Sequence, residues 1–144
     1  MTNYFNLAHA IKVHDEIIKK SGGLYGTPRP EIIESVLEHI QNDNYYPELE
    51  DKLTHLFYAI NKSHAFADGN KRASIALSSY FLELNGLGFR VSRFITEVEN
   101  IAVDVADNRI EKELLREILK SILYEDDYCE ELKLKIYQAK DAFS

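Results

Sequence analysis

Leu53-Thr54-His55-Leu56-Phe57-Tyr58-Ala59-Ile60, His64-Ala65-Phe66-Ala67-Asp68-Gly69-Asn70-Lys71-Arg72 and Ala73-Ser74-Ile75-Ala76-Leu77 follow one another through the middle of the chain. The outer two segments carry apolar residues at three- and four-residue steps, the period of a helix packed on a core. The nine residues between them hold a histidine, an acid, a Gly-Asn pair and two adjacent cations, where a loop gives way to a helix start. This pattern predicts two central helices joined by a functional loop, and hence an all-α protein.

The rest of the chain agrees with that reading. Upstream of the motif, Leu7, Ala10, Ile11, His14, Ile17 and Ile18 mark a first amphipathic helix from Asn6 to Lys20, stopped by Ser21-Gly22-Gly23. Leu24 to Arg29 is a glycine- and proline-punctuated loop that serves either as a connector or as a cap over a cleft. Pro30 opens a second helix with Ile32, Ile33, Val36, Leu37 and Ile40 inward. Pro47 begins a third, with Glu48, Glu50 and Asp51 in its first turn and Leu49, Leu53, Leu56, Phe57 and Ile60 as its stripe.

Downstream of the motif, a fourth helix carries Ala73, Ala76, Leu77, Tyr80, Phe81 and Leu84 on one face and Ile75 and Leu82 on others, which places it centrally. Its small residues Ser74, Ser78 and Ser79 permit close helix approach, and Asn85-Gly86 ends it. After a loop from Leu87 to Arg93, Thr96 is the expected N-cap of a fifth helix with Val98, Ile101, Ala102 and Val105 inward. Glu111 to Leu123 forms a sixth, and Asp127 to Phe143 a seventh with Leu132, Ile136, Ala139 and Phe143 at helical spacing. The expectation is a bundle of six to seven helices, with residues 1–124 as the domain. Residues 125–144 would be an extension packed on it or contacting a partner.

At 144 residues the chain can bury roughly 68–70% of its unfolded surface. Seventeen Lys+Arg against 24 Asp+Glu give a net charge of −7, the wrong sign for gripping a nucleic-acid backbone, so no direct nucleic-acid binding is expected. The single Cys129 excludes an internal disulfide, and Met1-Thr2-Asn3-Tyr4-Phe5 lacks the pattern of a signal peptide. No apolar run reaches the about 18 residues of a membrane span. A cytoplasmic protein with no membrane contact is expected.

The chemistry lies in the nine residues. The junction at Gly69-Asn70 leaves the first N–H groups of the fourth helix pointing back at the loop, which favours an anion. Lys71 and Arg72 at a helix N-terminus are disfavoured by about 0.3–1 kcal/mol each on dipole grounds, unless a phosphate reverses the sign. Gly69 would let the backbone approach a nucleotide polyphosphate, Asn70 would fix the loop and Arg72 would grip phosphate oxygens. Asp68 suits Mg²⁺ bound between a carboxylate and those oxygens. His64 suits a general base on an incoming hydroxyl, and Phe66 an inward anchor for the loop. Taken singly, His64 reads as a helix cap, Asp68 as a turn former, and Lys71 and Arg72 as a solvated pair. Their combination on one glycine turn between two buried helices favours a site.

These residues resemble the Fic/Doc superfamily, and within it the death-on-curing (Doc) toxins of toxin–antitoxin modules. The signature H-x-F-x-[DE]-G-N-x-R is matched by His64, Phe66, Asp68, Gly69, Asn70 and Arg72. Gly22-Gly23-Leu24-Tyr25-Gly26 and Ile33-Glu34-Ser35 resemble the Doc-type loop and following helix, so the likeness runs from about Leu7 to Leu123. It implies a helical Fic fold with His64 as general base, Asp68 as Mg²⁺ ligand, Asn70 as a loop and phosphate contact, and Lys71 and Arg72 as phosphate clamps. ATP would be the co-substrate. Most Fic enzymes transfer AMP to a protein hydroxyl and carry glycine where this chain has Lys71. Doc-type members carry lysine there, bind the nucleotide reversed and act as kinases that silence elongation factor Tu. Ile75, in place of a second arginine, is also Doc-like. Ala65 stands where many relatives have proline, and Gly69 follows the general Fic pattern where some Doc toxins use alanine.

No [ST]-x-x-x-E-[GN] inhibitory string occurs, so control by a separate antitoxin chain is expected. Two other classes compete. His14-Asp15 suggests an HD-type metal phosphohydrolase, but such a site needs a further upstream histidine, and the one present is His9 on the same helix; His14 reads as a core-facing residue instead. His9, His39 and His55 read as surface or packing residues. The other class is a non-catalytic nucleotide-binding interaction protein, against which the intact His64–Arg72 set argues.

Overall fold

The structure is a computed structural model that describes residues 1–141. Among these residues it contains eight α-helices and no strand: α1 (Leu7–Ser21), α2 (Pro30–His39), α3 (Leu49–Ser63), α4 (Asn70–Leu84), α5 (Val91–Glu99), α6 (Ala102–Ala106), α7 (Lys112–Tyr124) and α8 (Glu130–Asp141). A 3-10 turn, Gly88–Arg90, leads into α5. The all-α expectation holds. The helices at the two ends of the motif are the central ones: α3 and α4 share the most extensive contact, α3 also meets α2, α6 and α7, and α4 meets α1 and α5.

Local chemistry accounts for most helix ends. Asn6 caps α1 by accepting the His9 N–H at 2.9 Å, and Gly22 at φ 82° stops it. Pro30 stands at the start of α2, where its missing N–H costs nothing. The third helix starts at Leu49, two residues after the expected Pro47, because Asp51 reaches back to accept the Glu48 N–H at 3.0 Å. Asp51 also accepts Arg116 Nε at 2.5 Å, which ties α7 to α3.

The fifth expected helix is corrected. Thr96 is not an N-cap; it lies within α5, its hydroxyl donating to the Ser92 carbonyl at 3.1 Å. The helix begins five residues earlier because Phe94 is fully buried, set edge-on to Phe57 at 6.3 Å between ring centroids. That contact draws residues 91–93, expected to be loop, into the helix. The run also breaks at Asn100-Ile101, so Ala102 and Val105 belong to the separate α6. This split raises the count above the six to seven helices expected.

The core takes Ala10 from α1, Ile33, Val36 and Leu37 from α2, Leu53, Leu56, Phe57 and Ile60 from α3, Ala73, Leu77, Phe81 and Leu82 from α4 and Leu115, Ile118, Leu119 and Ile122 from α7, together with Phe94, Val98, Ile110 and Leu132. Ile11 of the expected α1 face and Ala76, Tyr80 and Leu84 of the expected α4 face are only half-buried. Phe66 of the motif loop is in it, 1% exposed. Ser74, Ser78 and Ser79 are buried as the small faces of α4, Ser74 and Ser79 donating to the carbonyls of Lys71 and Ile75. His9 stacks on Tyr80, and His55 stacks on Tyr46 with its Nδ1 2.9 Å from Lys112 Nζ. Burial and the neighbouring Lys112 push His55 down to about 4. Both are packing residues. The last helix rests on α7 through Leu132, and Lys140 pairs with Asp104 at 2.6 Å. Phe143, expected in its stripe, lies outside the described residues.

Lys52 is a buried cation. It is 1% exposed, and its ammonium donates to the Ile40 carbonyl and to Asp43 Oδ1, both at 2.7 Å, closing the turn after α2. Replacing it with methionine keeps the stem but leaves the Ile40 carbonyl without its donor. Lys52→Met should cost about 1–3 kcal/mol, read as a lower urea midpoint at unchanged slope; an unchanged midpoint would show that water satisfies the carbonyl.

Candidate functional site

Helix α3 ends at His64, which takes the left-handed conformation (φ 53°, ψ 31°) as its C-cap. The chain then dips into the core at Ala65 and Phe66 and re-emerges at Ala67. Asn70 closes this excursion: its Oδ1 accepts the Phe66 N–H at 3.1 Å and its Nδ2 donates to the Phe66 carbonyl at 3.0 Å. One side chain thereby replaces the pairing that a buried peptide would otherwise lack. Gly69, left-handed at φ 74°, turns the chain into α4.

No side chain caps α4, and no acid lies in its first turn. The N–H groups there remain available to a ligand. Lys71 and Arg72 add positive charge at the positive end of the helix dipole. An anion is the partner this end lacks.

The Gly22–Arg29 loop pairs with the motif rather than merely connecting α1 to α2. Ala67 N–H donates to the Gly26 carbonyl at 3.0 Å, and Arg29 N–H to the Ala65 carbonyl at 3.1 Å. Leu24 and Tyr25 stay exposed at its tip. Asp68 is held from two sides: Oδ1 accepts the Gly69 N–H at 2.8 Å, and Oδ2 the Leu24 N–H at 3.2 Å. The Leu24 and Gly69 N–H groups, with the charge of Arg72, hold its carboxyl below the usual carboxylate range. Asp68 is therefore ionised throughout the physiological range.

A cleft of about 580 Å³ opens beside the loop, within the range of about 300–1,000 Å³ usual for small-molecule sites. His64, Asp68, Gly69, Asn70 and Lys71 line it together, as their sequence neighbourhood suggested. Arg72 does not line it; its guanidinium turns to the other side of the loop and donates to the Gly22 carbonyl at 3.2 Å. The opposite wall, made by Asn61, Lys62, Ala106, Asp107 and Asn108, was not read from the sequence. Lys62 donates to the Val105 and Ala106 carbonyls at 3.2 and 3.4 Å and to the Asn108 side chain. Asn61 is 3% exposed and donates to the Ala102 carbonyl at 3.2 Å, while its Oδ1 has no partner. The available signal was the polar Asn61-Lys62-Ser63 run at the end of an apolar helix, together with the Asp107-Asn108 turn.

His14 is core-facing, as expected, and also touches the motif. Its Nε2 lies 2.5 Å from the Asp68 carbonyl oxygen, and its ring stacks on Phe66. No group of three or more His, Cys, Asp or Glu that could hold a metal ion occurs among the described residues, so the HD-type arrangement finds no support. Nor, among those residues, is any helix long and apolar enough to cross a membrane.

The model of the Fic/DOC family matches residues 4–82. Toxin Doc of Mycolicibacterium smegmatis is 34% identical over 61 residues, 42% of this chain and 47% of that protein. Protein kinase doc of Escherichia phage P1 is 33% identical over 81 residues, 54% of this chain and 64% of that protein. The matches thus span less than two thirds of either relative.

The glycine loop generates a test of the Asp68 environment. A Cβ on Gly23 would lie 2.5 Å from Asp68 Oδ2, at φ +120°, so Gly23→Ala must displace the carboxylate from the Leu24 N–H. The Asp68 pKa should rise toward the ordinary value, followed by carboxyl-carbon NMR. In the unsubstituted protein this carboxylate helps hold the loop above the ordinary carboxylate pKa, and the contribution is lost as pH falls through the depressed value. An unshifted titration in Gly23→Ala would show that the Leu24 contact is not the cause.

Proposed function

The chain belongs to the Fic/DOC family, and on that premise we propose that it is a Doc-like toxin that transfers the γ-phosphoryl group of ATP to a hydroxyl of a protein target. One observation carries the reading: the uncapped N-terminus of α4 bears Lys71 and Arg72 and meets His64 and the ionised Asp68 at one loop. Such an end is unfavourable without an anion and well suited to a polyphosphate. The names of the two relatives, a toxin and a protein kinase, support it.

In this reading the polyphosphate lies against the first turn of α4, with Lys71 on the cleft side of the loop and Arg72 on its other face. His64, exposed at the C-cap of α3, takes the proton of the target hydroxyl. The hydroxyl oxygen forms the new bond to phosphorus as the bridging bond to ADP breaks, so that positioning and charge stabilisation do most of the work. A hard cation needs oxygen donors, and the Asp68 carboxylate, ionised and on the cleft, fits that need. Asp68 would hold Mg²⁺, which would neutralise charge on the phosphates.

Gly69 favours a second reading, since it follows the pattern of Fic enzymes that transfer AMP. Lys71 favours the kinase. The target is read as a translation factor, elongation factor Tu by resemblance, and the site of action as cytoplasmic. A separate antitoxin chain is proposed as the means of control.

The protein and its His64→Ala form, incubated with cell lysate and ATP labelled at the γ or α phosphate, separate these readings. Label should enter a protein from the γ position alone, and His64→Ala should lower the rate by about 10²–10⁴. Label from the α position would establish AMP transfer instead. Label from neither would leave nucleotide binding without turnover.

A further inference from the structure

His14 lies on α1, some fifty residues before the motif, yet its hydrogen bond and its ring stack both converge on the motif loop. It is fully buried. Its Nε2 is 2.5 Å from the Asp68 carbonyl oxygen; because a carbonyl can only accept, Nε2 carries the hydrogen. Its ring stacks on the Phe66 ring at 4.0 Å between centroids and 5° between planes.

A histidine is a costly way to fill this space. Its Nδ1 is buried without a hydrogen-bond partner, the nearest acid being Asp15 Oδ1 at 3.9 Å. Leucine or phenylalanine would fill the core without an orphaned nitrogen. What those residues lack is a donor aimed at the Asp68 carbonyl. That carbonyl belongs to the peptide entering Gly69, which sits at φ 74°. Glycine gives a peptide on its flank unusual freedom to rotate. A rotation there would swing the Gly69 N–H off Asp68 Oδ1 and re-aim the start of α4.

We propose that His14 is a positioning residue: by donating to the Asp68 carbonyl and stacking on Phe66, it locks the Asp68–Gly69 peptide so that the Asp68 carboxylate and the first turn of α4 face the phosphates. The loop is then tethered by three separate parts of the fold. Asn70 holds Phe66, the Leu24 N–H holds the Asp68 carboxylate, and His14 holds the Asp68 main chain. This inference rests on the cleft being a phosphoryl-transfer site, but its loop-ordering half is measurable without any turnover.

Two substitutions separate donor from stack. His14→Phe keeps an aromatic ring against Phe66 and removes the donor, whereas His14→Gln places an amide N–H near the Nε2 position and removes the ring. Amide hydrogen exchange is followed on the protein alone, and label transfer from γ-labelled ATP on the same samples. His14→Phe should speed exchange at the Phe66, Ala67 and Gly69 amides by about tenfold or more. It should lower kcat by about 10- to 100-fold, the scale of a small misplacement of reacting groups, while the KM for ATP moves far less. His14→Gln should restore both toward the unsubstituted protein. Wild-type exchange in His14→Phe overturns the inference, as does faster exchange with unchanged turnover, or a glutamine variant as impaired as the phenylalanine one. If the unsubstituted protein transfers no label, the kinase reading falls, and the exchange comparison alone decides the role of His14.

Discussion

Two hydrogen bonds between the Asn70 side chain and the main chain of Phe66, at 3.1 and 3.0 Å, close the turn that joins the two central helices. The turn is short and must do two opposed things. It has to send Phe66 into the core, where the ring is 1% exposed, and bring His64 and Lys71 back to the surface beside it. Burying a peptide without partners is expensive, so the excursion is stable only because one amide side chain satisfies both polar groups of Phe66. With Phe66 anchored, His64 is left at the C-cap of α3 and Asn70 at the start of α4, on the same side of the loop.

The same geometry sets up the electrostatics. An uncapped helix start with two adjacent cations and no acid in its first turn is a local imbalance that an anion corrects. Asp68, one turn before, would compete for those cations if its carboxylate were free to swing. Its oxygens are instead engaged by the Leu24 and Gly69 N–H groups, which keep it ionised and aimed. Arg72 is held on the far face by the Gly22 carbonyl, so the two cations bracket the loop from opposite sides. Gly23 lets the α1–α2 connection come close enough to supply these contacts, since a Cβ there would collide with the Asp68 carboxylate.

Much of this was legible from the chain because its causes are local. Helical periodicity, Pro30 at a helix start, Gly22 at a helix end, the Gly69-Asn70 turn and the inward Phe66 all depend on residues within a few positions of one another. The misreadings have distant causes. Thr96 looked like a cap, but burial of Phe94 against Phe57 from α3 starts the helix earlier. The burial of Lys52 is likewise set from outside its own helix, by the Ile40 carbonyl and Asp43 that the turn after α2 presents to it. The opposite wall of the cleft comes from the end of α3 and the α6–α7 turn, more than thirty residues apart. Nothing short of packing α6 against α3 brings these together.

The sequence by itself determined the helical class, the two central helices and the motif residues that gather at one loop, since period, turn chemistry and charge are written in adjacent residues. The tertiary structure alone decided how that loop is held and what faces it. The glycine loop pairs along the motif, His14 reaches it from α1, Arg72 turns to its outer face, and Asn61, Lys62 and Asn108 close the cleft. The physical reason is range: hydrogen bonds and ring stacks act over a few ångströms, and only the packed fold brings residues distant in the chain within that reach.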